Sequence, residues 1–470
     1  MSEAGGRRPL WTSTEIEAAT GGTRQGRAFE AYGLDIDSRE LAHGDLFVAL
    51  AAARDGHDFV EAALARGAAG VLASRAVAEP FILVDDTLTA LGRLAAAARD
   101  RAAAARRGAV TGSVGKTSVT QAVLAGLRRA GGAHGSVRSF NNHIGVPLTL
   151  ARMPPDTHRA VFEMGMNHAG EIVPLSRLVR PHAVAITTVE AVHVENFDDG
   201  EAGVARAKAE IFEGLEPGGS AILNSDNRWF GELAALAHRS GARVLAFGRA
   251  PDAAARLTSF ERTGEGARVE AEILGQPITF TLRQSAPHWG PMSLCALLLM
   301  MELDVPLQTG LEALGAFEPL AGRGAELRLS WQGGEIVLVD ESYNASPVSM
   351  TSALRALGAR PAAGRRIAVL TDMLELGPDA AVAHRGLAPV IEAEPIDAVY
   401  CAGPLMQELY EALDPTRRGG YAPEAGALID DIGAALASGD VVMVKGSHAS
   451  RASAIVAALV ERAGALRDDR

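Results

Sequence analysis

The sequence predicts an α/β fold in three domains, and three observations lead to this prediction. The chain has 470 residues, which at roughly 150 residues per domain suggests about three domains. Short apolar runs alternate with helical stretches along much of the chain, as they do in βαβ units with parallel sheets. Changes in this pattern divide the chain. We predict a small N-terminal α/β domain over 1–105, a central domain with a mostly parallel sheet over 106–320, and a C-terminal parallel sheet over 321–470.

The N-terminal domain is predicted from short elements. Strands are expected over 46–50, 70–73 and 81–84, with an amphipathic helix over 59–66. The acidic pair Asp85-Asp86 indicates a turn after the last of these strands. The Ala- and Arg-rich segment 91–107 has high helix propensity, so we expect it to form the helix that leads into the second domain.

The central domain combines strands, a glycine-containing loop and helices. The loop 111–117 follows a short strand and opens a helix over 118–130. Further strands are predicted over 160–163, 183–189 and 220–224, and strands added at the sheet edge over 244–247, 269–273 and 278–282. The segment 294–303 is apolar throughout and predicts a buried helix.

The C-terminal domain begins after Gly322-Arg323-Gly324. Four apolar strands are predicted over 336–339, 367–370, 398–401 and 441–444, with helical stretches between them. This alternation predicts a Rossmann-like parallel sheet, in which ligands bind at the carboxyl ends of the strands. The predicted strands end at Asp340, Asp372, Gly403 and Lys445-Gly446-Ser447.

The composition excludes several classes of protein. Apolar residues make up 48% and charged residues 22% of the chain, which excludes wholesale disorder. The net charge of −12 without a basic run argues against non-specific nucleic-acid binding. The two cysteines, Cys295 and Cys401, have no metal-ligand spacing. Because the sequence shows neither a secretory signal nor an apolar run long enough to span a membrane, we expect a cytoplasmic protein.

Lysine is almost absent from this chain. Of 45 basic residues only Lys116, Lys208 and Lys445 are lysines, so 42 are arginines. Arginine cannot replace lysine where a compact charge must fit or where the amine must lose its proton to react. The alternative is that three lysines remain by chance, but their surroundings favour functional positions.

The segment Thr111-Gly112-Ser113-Val114-Gly115-Lys116-Thr117 indicates a phosphate-binding loop like that of P-loop ATPases. Backbone N–H groups and the N-terminus of the following helix attract phosphate oxygens. Lys116 can reach the β- and γ-phosphates, and the Thr117 hydroxyl can bind Mg²⁺. Val110 stands where the general motif has its first glycine. The alternative is an ordinary turn between a strand and a helix.

A magnesium site needs further oxygen ligands near the phosphates. Glu163 ends an apolar strand and is the natural second carboxylate, and His193 follows the strand 183–189. Lys208 lies in a predicted amphipathic helix over 202–212 beside Arg206. Its amine could react with carbon dioxide to form a carbamate, an oxygen ligand that arginine cannot provide. The alternatives are a structural histidine at 193 and a solvated helix face at 208.

Further motifs are spread over the whole chain. They are Asp37-Ser38-Arg39, Asp45-Leu46-Phe47, Asp55-Gly56-His57, the segments 140–150 and 207–212, Glu163-Met164-Gly165, the segments 340–347 and 372–377, and Lys445-Gly446-Ser447. Together with the phosphate loop they resemble the Mur ligase family, the ATP-dependent amide-forming ligases of peptidoglycan precursor synthesis. All three lysines lie in these motifs.

The resemblance implies a ligation in three steps. ATP phosphorylates the terminal carboxylate of UDP-N-acetylmuramoyl-tripeptide, the amine of D-alanyl-D-alanine attacks the acyl phosphate, and phosphate leaves. It implies ATP contacts at Gly112, Ser113, Val114, Gly115, Lys116, Thr117, Ser118, Asn142, Arg323, Asp340, Tyr343 and Asn344. It implies contacts with the UDP-linked substrate at Ser38, Arg39, Phe47, Asp55 and His57.

The resemblance also implies two magnesium ions. Thr117 and Glu163 would hold the first, and His193 with carbamylated Lys208 would hold the second. Lys116, Lys208 and His193 are therefore the expected catalytic residues. The C-terminal domain would complete the ATP site and bind the dipeptide, and we expect a monomer that binds neither nucleic acid nor membrane.

Three places depart from the family pattern, and three alternatives stay open. Alanines at 51–53 replace a glycine-containing turn of the family. Met292 stands where the family usually has Asn near the adenine, so adenine contacts are not assigned, and His448 stands where Arg is common. A sister ligase or folylpolyglutamate synthetase is disfavoured by Tyr343-Asn344-Ala345 and Asp372-Met373-Leu374. A nucleotide-binding switch without ligation would not need a third domain. The sequence does not distinguish diaminopimelate from lysine at the end of the tripeptide.

Overall fold

A computed structural model describes residues 8–51, 54–136, 139–192 and 194–468. The contacts divide the chain into two compact units. The first holds the described residues up to Thr188 together with Ala205–Ala255 and Ser293–Ala313, and the second holds Val189–Val204, Arg256–Met292 and the described residues from Leu314 onward. The fold is α/β with several mostly parallel sheets, as predicted.

The N-terminal part of the first unit contains a small mixed sheet. Its elements are β1 (Trp11–Thr12), α1 (Ser13–Thr20), β2 (Thr23–Gln25), β3 (Glu30–Ala31), β4 (Leu34–Asp35), β5 (Leu46–Val48), α2 (Val60–Ala65), β6 (Gly70–Ala73), β7 (Phe81–Leu83) and α3 (Thr87–Arg101). The order is β2-β7-β6-β5-β4, parallel except that β2 runs antiparallel to β7. The predicted strands lie here with small differences at their ends.

The helix predicted over 91–107 differs from the observed one at both ends. The observed helix, α3, starts earlier than predicted because the Asp86 side chain caps it. This side chain accepts a 2.7 Å hydrogen bond from the Thr89 amide. The helix ends at Arg101. The prediction that it continues to 107 is wrong, because Arg106 and Arg107 lie in a strand that pairs with the strand starting at Arg159. The buried Arg107 guanidinium also donates to main-chain carbonyls.

The rest of the first unit is built on parallel strands. Its elements are β8 (Arg106–Thr111), α4 (Lys116–Ala130), β9 (Ala133–Gly135), α5 (Gly145–Ala151), β10 (Arg159–Glu163), α6 (Ile172–Val179), β11 (Ala183–Ile186), α7 (Glu201–Ala209), β12 (Ser220–Asn224), α8 (Phe230–Arg239) and β13 (Arg243–Gly248). Six strands lie in the order β13-β12-β11-β8-β10-β9, all parallel. Their carboxyl ends therefore meet at one edge, where ligands bind in such sheets.

The next elements are divided between the two units. They are β14 (Ala255–Thr263), β15 (Gly266–Ile273), β16 (Gln276–Leu282), α9 (Trp289–Glu302) and α10 (Leu307–Ala316). β15 and β16 form an antiparallel pair. α9 contains the predicted apolar helix, and Leu294 and Leu299 within it are fully buried.

The second unit contains a six-stranded sheet with helices on both faces. Its elements are β17 (Ala325–Trp331), β18 (Gly334–Glu341), α11 (Pro347–Gly358), β19 (Arg366–Thr371), α12 (Ala380–Arg385), α13 (Ala388–Ala393), β20 (Ala398–Ala402), α14 (Met406–Ala412), β21 (Arg418–Ala422), α15 (Ile429–Ala435), β22 (Val441–Lys445) and α16 (Ala452–Asp468). The order is β17-β18-β22-β19-β20-β21, and only β17 is antiparallel to its neighbour. Two apolar clusters cover the two faces of the sheet. No helix in the described part of the chain is long and apolar enough to cross a membrane.

Candidate active site

The loop between β8 and α4 contains two glycines in conformations that other residues rarely adopt. Gly112 has a φ of 149° and Gly115 a φ of 86°. A Cβ on Gly112 would lie 1.9 Å from Thr187 Oγ1, so no side chain fits there. Thr187 Oγ1 in turn donates a 2.5 Å hydrogen bond to the Val114 carbonyl. These contacts hold the loop against the segment that follows β11.

Helix α4 begins directly behind this loop. Lys116 Nζ donates a 2.7 Å hydrogen bond to the Gly112 carbonyl, and the Ser113 amide donates to the Thr188 carbonyl at 2.8 Å. Thr117-Ser118 lie in the first turn of the helix. The first N–H groups of any helix lack partners within the helix and form its positive end. The loop and helix together are therefore suited to bind a phosphate.

Glu163 lies beside the first turn of α4. It is the last residue of β10, which pairs with β8, and it is 1% exposed. Its Oε2 accepts a 2.7 Å hydrogen bond from Thr117 Oγ1. Its Oε1 accepts hydrogen bonds from Ser139 Oγ at 2.9 Å and from Asn141 Nδ2 at 2.7 Å. The structure thus brings the two predicted ligands of the first magnesium ion together.

This set of oxygen donors fits magnesium. Among the described residues, no group of three or more His, Cys, Asp or Glu side chains is placed to hold a metal ion. Mg²⁺ does not need such a group, because it is commonly bound by one or two carboxylates together with substrate phosphates and water. The Thr117 hydroxyl and the Glu163 carboxylate have that chemistry beside the phosphate loop. Ser139 and Asn141, which orient the carboxylate, were not predicted, although Asn141 lies in a motif of the sequence.

Lys208 is buried, with 3% of its surface exposed. It lies near the end of α7, whereas the neighbouring Arg206 pairs with Glu232 at 3.4 Å. The alternative of a solvated face at Lys208 is therefore wrong. Burial, and to a smaller extent the Lys116 ammonium, lowers the pKa of Lys208 well below its usual value. A neutral amine, the form that reacts with carbon dioxide, is accordingly favoured.

Glu210, two residues after Lys208, holds the start of α6. Its Oε1 accepts a 2.6 Å hydrogen bond from the Gly170 amide and its Oε2 a 3.2 Å bond from the Ile172 amide. Burial raises its pKa, although these bonds oppose the shift. Because α6 follows the loop after Glu163, Glu210 connects the Lys208 segment with the Glu163 segment. Glu210 lies in the Ala207-Lys208-Ala209-Glu210 motif, but no role was predicted for it from the sequence.

His193 and Asn142 are the other two predicted site residues of this region. His193 lies outside the described residues, so its role as a metal ligand stays a prediction. The Asn142 side-chain oxygen accepts hydrogen bonds from the Ile144 and Gly145 amides at 3.2 and 2.8 Å. Asn142 therefore holds the turn that precedes α5, and its predicted contact with ATP stays a prediction.

The second unit brings together its four predicted ATP residues. Arg323 Cζ lies 3.9 Å from the centre of the Tyr343 ring, a cation–π contact. The buried Asp340 carboxylate accepts hydrogen bonds from the Gly322 amide at 2.7 Å and from Ser342 Oγ at 2.5 Å. Asn344 follows in the same loop and is exposed. Asp340 thus fixes the loop, while Tyr343 and Asn344 lie closer to its surface.

Arg39 lies in a turn between β4 and β5 and is the most accessible of the residues predicted to bind the UDP-linked substrate. Its side chain is 81% exposed, and its guanidinium makes two hydrogen bonds to Asp37, at 3.0 and 2.7 Å. These bonds lower the pKa of Asp37 to about 2. Ser38 stands between Asp37 and Arg39 in the sequence and is half-buried. The pair presents an oriented guanidinium at the surface, and such a group binds phosphate in a bidentate manner.

Phe47 and His57 also make structural contacts, and the predicted contacts of Phe47, Asp55 and His57 with the UDP-linked substrate stay predictions. Phe47 is 1% exposed and packs in the core of the small sheet. The His57 side chain is 2% exposed, and both ring nitrogens are engaged: Nδ1 with Asp55 Oδ1 at 2.6 Å, and Nε2 with the Ser74 amide at 2.9 Å. The hydrogen bond from His57 lowers the pKa of Asp55. Phe47 thus packs in the core of the small sheet, and His57 holds its loop against the end of β6, with Asp55 as its partner.

Comparison with family models extends over most of the chain. The Mur ligase family catalytic domain matches residues 30–99, the Mur ligase middle domain residues 110–298, and the Mur ligase glutamate ligase domain residues 327–448.

Individual proteins match over nearly the full length. The UDP-N-acetylmuramoyl-tripeptide--D-alanyl-D-alanine ligase of Escherichia coli (strain K12) is 34% identical over 459 residues, which are 96% of this chain and 98% of that protein. A crystal structure of MurF from Acinetobacter baumannii has a TM-score of 0.84 and 27% identity, covering 96% of this chain and 99% of the other. MurF ligase from Thermotoga maritima in complex with ADP has a TM-score of 0.77 and 22% identity, covering 92% and 98%.

Proposed function

The chain belongs to the Mur ligase family, and we propose that it joins D-alanyl-D-alanine to UDP-N-acetylmuramoyl-tripeptide with ATP in peptidoglycan precursor synthesis. The observation that carries this proposal is the match along 96% of the chain to a ligase whose name states that reaction. The phosphate loop and the Thr117–Glu163 pair supply the geometry for the ATP-dependent step. The proposed location is the cytoplasm, and the proposed state is a monomer.

The first step transfers a phosphoryl group. A carboxylate oxygen of the tripeptide attacks the γ-phosphorus of ATP, the bond to the β-phosphate oxygen breaks, and ADP leaves. Two anions must approach each other, so the site must neutralise charge. Lys116 and the N–H groups at the start of α4 do this for the phosphates. A magnesium ion held by Thr117 and Glu163 would supply further positive charge on the phosphate oxygens.

The second step forms the amide. The amine nitrogen of D-alanyl-D-alanine attacks the acyl carbon, the bond from that carbon to the phosphate oxygen breaks, and a proton leaves the nitrogen. Three substrates must be aligned for these two steps. In our proposal Ser38 and Arg39 bind the UDP-linked substrate. Arg323, Tyr343 and Asn344 complete the ATP site, and the C-terminal sheet receives the dipeptide.

We also propose a second magnesium ion, held by His193 and carbamylated Lys208. The neutral Lys208 amine attacks the carbon of carbon dioxide, an N–C bond forms and one amine proton is lost. Burial of Lys208 supports this chemistry because it lowers the pKa of the amine. The product carries a negative charge and two oxygens, which are suitable ligands for magnesium.

A phosphate-release assay tests the function. We expect ATP-dependent phosphate release only when both UDP-N-acetylmuramoyl-tripeptide and D-alanyl-D-alanine are present. Tripeptides ending in diaminopimelate and in lysine should be compared, because neither is assigned. Release with an amino acid such as glutamate in place of the dipeptide would indicate a sister ligase or a folylpolyglutamate synthetase. Release without either substrate would indicate a nucleotide-binding switch.

A further inference from the structure

Lys445 is the one lysine of the three to which the proposed mechanism gives no role. It is the last residue of β22, in the middle of the C-terminal sheet, where it pairs in register with Glu341 of β18 and Leu370 of β19. Its side chain is 4% exposed. A charged group is seldom buried this deeply unless its partners are built around it.

The partners of Lys445 are Glu341, at the end of β18, and Asn344, in the following loop that carries two of the predicted ATP residues. Lys445 Nζ donates a 2.9 Å hydrogen bond to the carbonyl oxygen of Asn344, and it lies 3.4 Å from Glu341 Oε2. Asp340 fixes the start of this loop through Ser342, and Ser346 caps the helix that follows the loop. The Lys445 ammonium therefore holds the middle of the loop.

We propose that Lys445 is a positioning residue for ATP, acting through the backbone of Asn344 to set Tyr343 and Asn344 at the carboxyl end of the sheet. This inference rests on the proposed function, because it takes that loop as part of the ATP site. A hydrogen bond from a charged donor is shorter and stronger than a neutral one. The bond from Lys445 to Asn344 is partly buried, so water competes for it less than for a bond at the open surface.

The residue type agrees with this role. In a chain with 42 arginines among 45 basic residues, an ordinary cation at this position would be arginine. The space around Nζ accepts a compact ammonium between a carbonyl and a carboxylate, whereas a planar guanidinium needs a broader opening. The interior is close-packed, so the larger group would displace the loop.

The two residues after Lys445 hold neighbouring segments in a similar way. A Cβ on Gly446 would lie 1.6 Å from Thr371 Oγ1, so this residue must be glycine. The Ser447 amide donates to the Asp372 carbonyl at 3.1 Å, and Ser447 Oγ accepts from the Leu374 amide at 2.9 Å. The Lys445-Gly446-Ser447 segment thus ties together the loops after β18 and β19.

A direct contact between Lys445 and the carboxylate of the dipeptide is the competing interpretation. The 4% exposure of the side chain argues against it, because a bound substrate would have to displace the loop to reach Nζ. The two interpretations differ in the substrate that is affected. A positioning role changes ATP binding in the absence of the dipeptide, whereas a direct contact changes the KM for the dipeptide.

The test uses the full-length protein and three variants. Lys445→Met keeps the chain length and removes the charge and the donor. Lys445→Met combined with Glu341→Gln also removes the unpaired carboxylate, which restores charge balance but not the hydrogen bond to Asn344. Arg365→Met combined with Asp440→Asn is the matched control. It removes an ion pair of 2.6 Å from the opposite, amino-terminal end of the same sheet.

We measure thermal unfolding, the Kd for Mg-ATP by calorimetry, and the KM of each substrate. In both Lys445 variants we expect the Kd and KM for ATP to rise about tenfold, with the KM for the dipeptide nearly unchanged. The control pair should lower thermal stability and leave ATP binding unchanged. Inactive wild-type protein would contradict the proposed function rather than this inference.

Three results would overturn the inference while the wild-type protein remains active. One is unchanged ATP binding in folded Lys445→Met protein. Another is recovery of ATP affinity on addition of Glu341→Gln, which would make charge balance the whole role of the lysine. The third is a failure of both Lys445 variants to fold, which would mean that Lys445 is needed for the stability of the domain rather than for ATP binding.

Discussion

The Thr117 hydroxyl and the Glu163 carboxylate form a 2.7 Å hydrogen bond that joins the first turn of α4 to the end of β10. The bond links the phosphate loop with a carboxylate from the adjacent parallel strand. Ser139 and Asn141 occupy the other carboxylate oxygen. These hydrogen bonds orient the carboxylate, as expected of a ligand that must hold a metal in a fixed geometry.

Glu163→Gln should abolish most of the activity without unfolding the protein. The amide has nearly the same shape but lacks the charge that magnesium requires. We expect kcat to fall by about 100-fold or more, and the magnesium concentration for half-maximal phosphate release to rise. Ser139→Ala removes one orienting hydrogen bond and should cost less, about tenfold. A Glu163→Gln enzyme with the wild-type magnesium dependence would contradict the metal role.

Lys116→Arg should abolish ligation and leave the fold intact. Lys116 Nζ lies 2.7 Å from the Gly112 carbonyl within the loop, a space that a broad guanidinium does not fit. We expect phosphate release to fall by at least about 100-fold, with an unchanged circular dichroism spectrum. Near-normal turnover with D-alanyl-D-alanine as acceptor would remove the phosphate role from Lys116.

Arg39→Ala should weaken binding of the UDP-linked substrate and not of ATP. Its exposed guanidinium is oriented by two hydrogen bonds to Asp37. It can donate further N–H hydrogen bonds to a phosphate. We expect calorimetry to show a roughly tenfold higher Kd for the UDP substrate. Arg24→Ala, which removes another cation of the same small sheet, paired with Glu17 at 3.7 Å, should have no such effect. Equal loss of UDP-substrate and ATP binding would mean that the domain had unfolded.

The buried strands were predicted well, whereas the two strands at the edges of the C-terminal sheet were not. A parallel strand covered on both faces consists of nearly continuous apolar residues, so β12 was found with its observed bounds and β10 within one residue. β17 has alternating polar and apolar residues and lies at the sheet edge. β21 contains two glycines and lies at the other edge. Neither resembles a buried strand, and both were missed.

The parts of the site that were predicted correctly depend on residues close together in the sequence. The phosphate loop follows from glycines that must adopt positive φ, at Gly112 and Gly115. The burial of Phe47 and His57 depends on side chains distant in sequence, so the motif alone did not indicate their packing and internal hydrogen bonds. The bonds from Glu210 to the start of α6 also span about 40 residues, and no local pattern indicates them.

Glu210→Ala should lower activity by disturbing the start of α6. The substitution removes two hydrogen bonds to main-chain amides, at Gly170 and Ile172. Loss of such a cap costs about 1 kcal/mol of stability, so the melting temperature should fall by a few degrees. Glu210→Gln keeps an acceptor oxygen and should recover part of the activity. If Glu210→Ala melts earlier but turns over at the wild-type rate below its melting temperature, Glu210 contributes to stability alone.

Lys208→Ala should be nearly inactive, and small carboxylates should partly restore it. In our proposal the buried Lys208 carries a carbamate that holds a magnesium ion, so its removal deletes a negatively charged oxygen ligand and leaves a space. We expect a loss of kcat of about 100-fold or more. Acetate or propionate, titrated at constant ionic strength, should raise the rate in a saturable manner, because a carboxylate can enter that space and offer the missing oxygens.

The control for this test lies on the same helix. Arg206→Ala removes a cation that pairs with Glu232 at 3.4 Å, so it should keep most of its activity and show no response to carboxylates. Lys208→Arg should be as inactive as Lys208→Ala, because a guanidinium can neither form a carbamate nor bind a metal. It should also resist rescue, since its side chain fills the space. Mass spectrometry cannot replace this test, because a carbamate is lost in acid. If Lys208→Ala or Lys208→Arg kept most of its activity without added carboxylate, the metal-ligand role of Lys208 would be wrong.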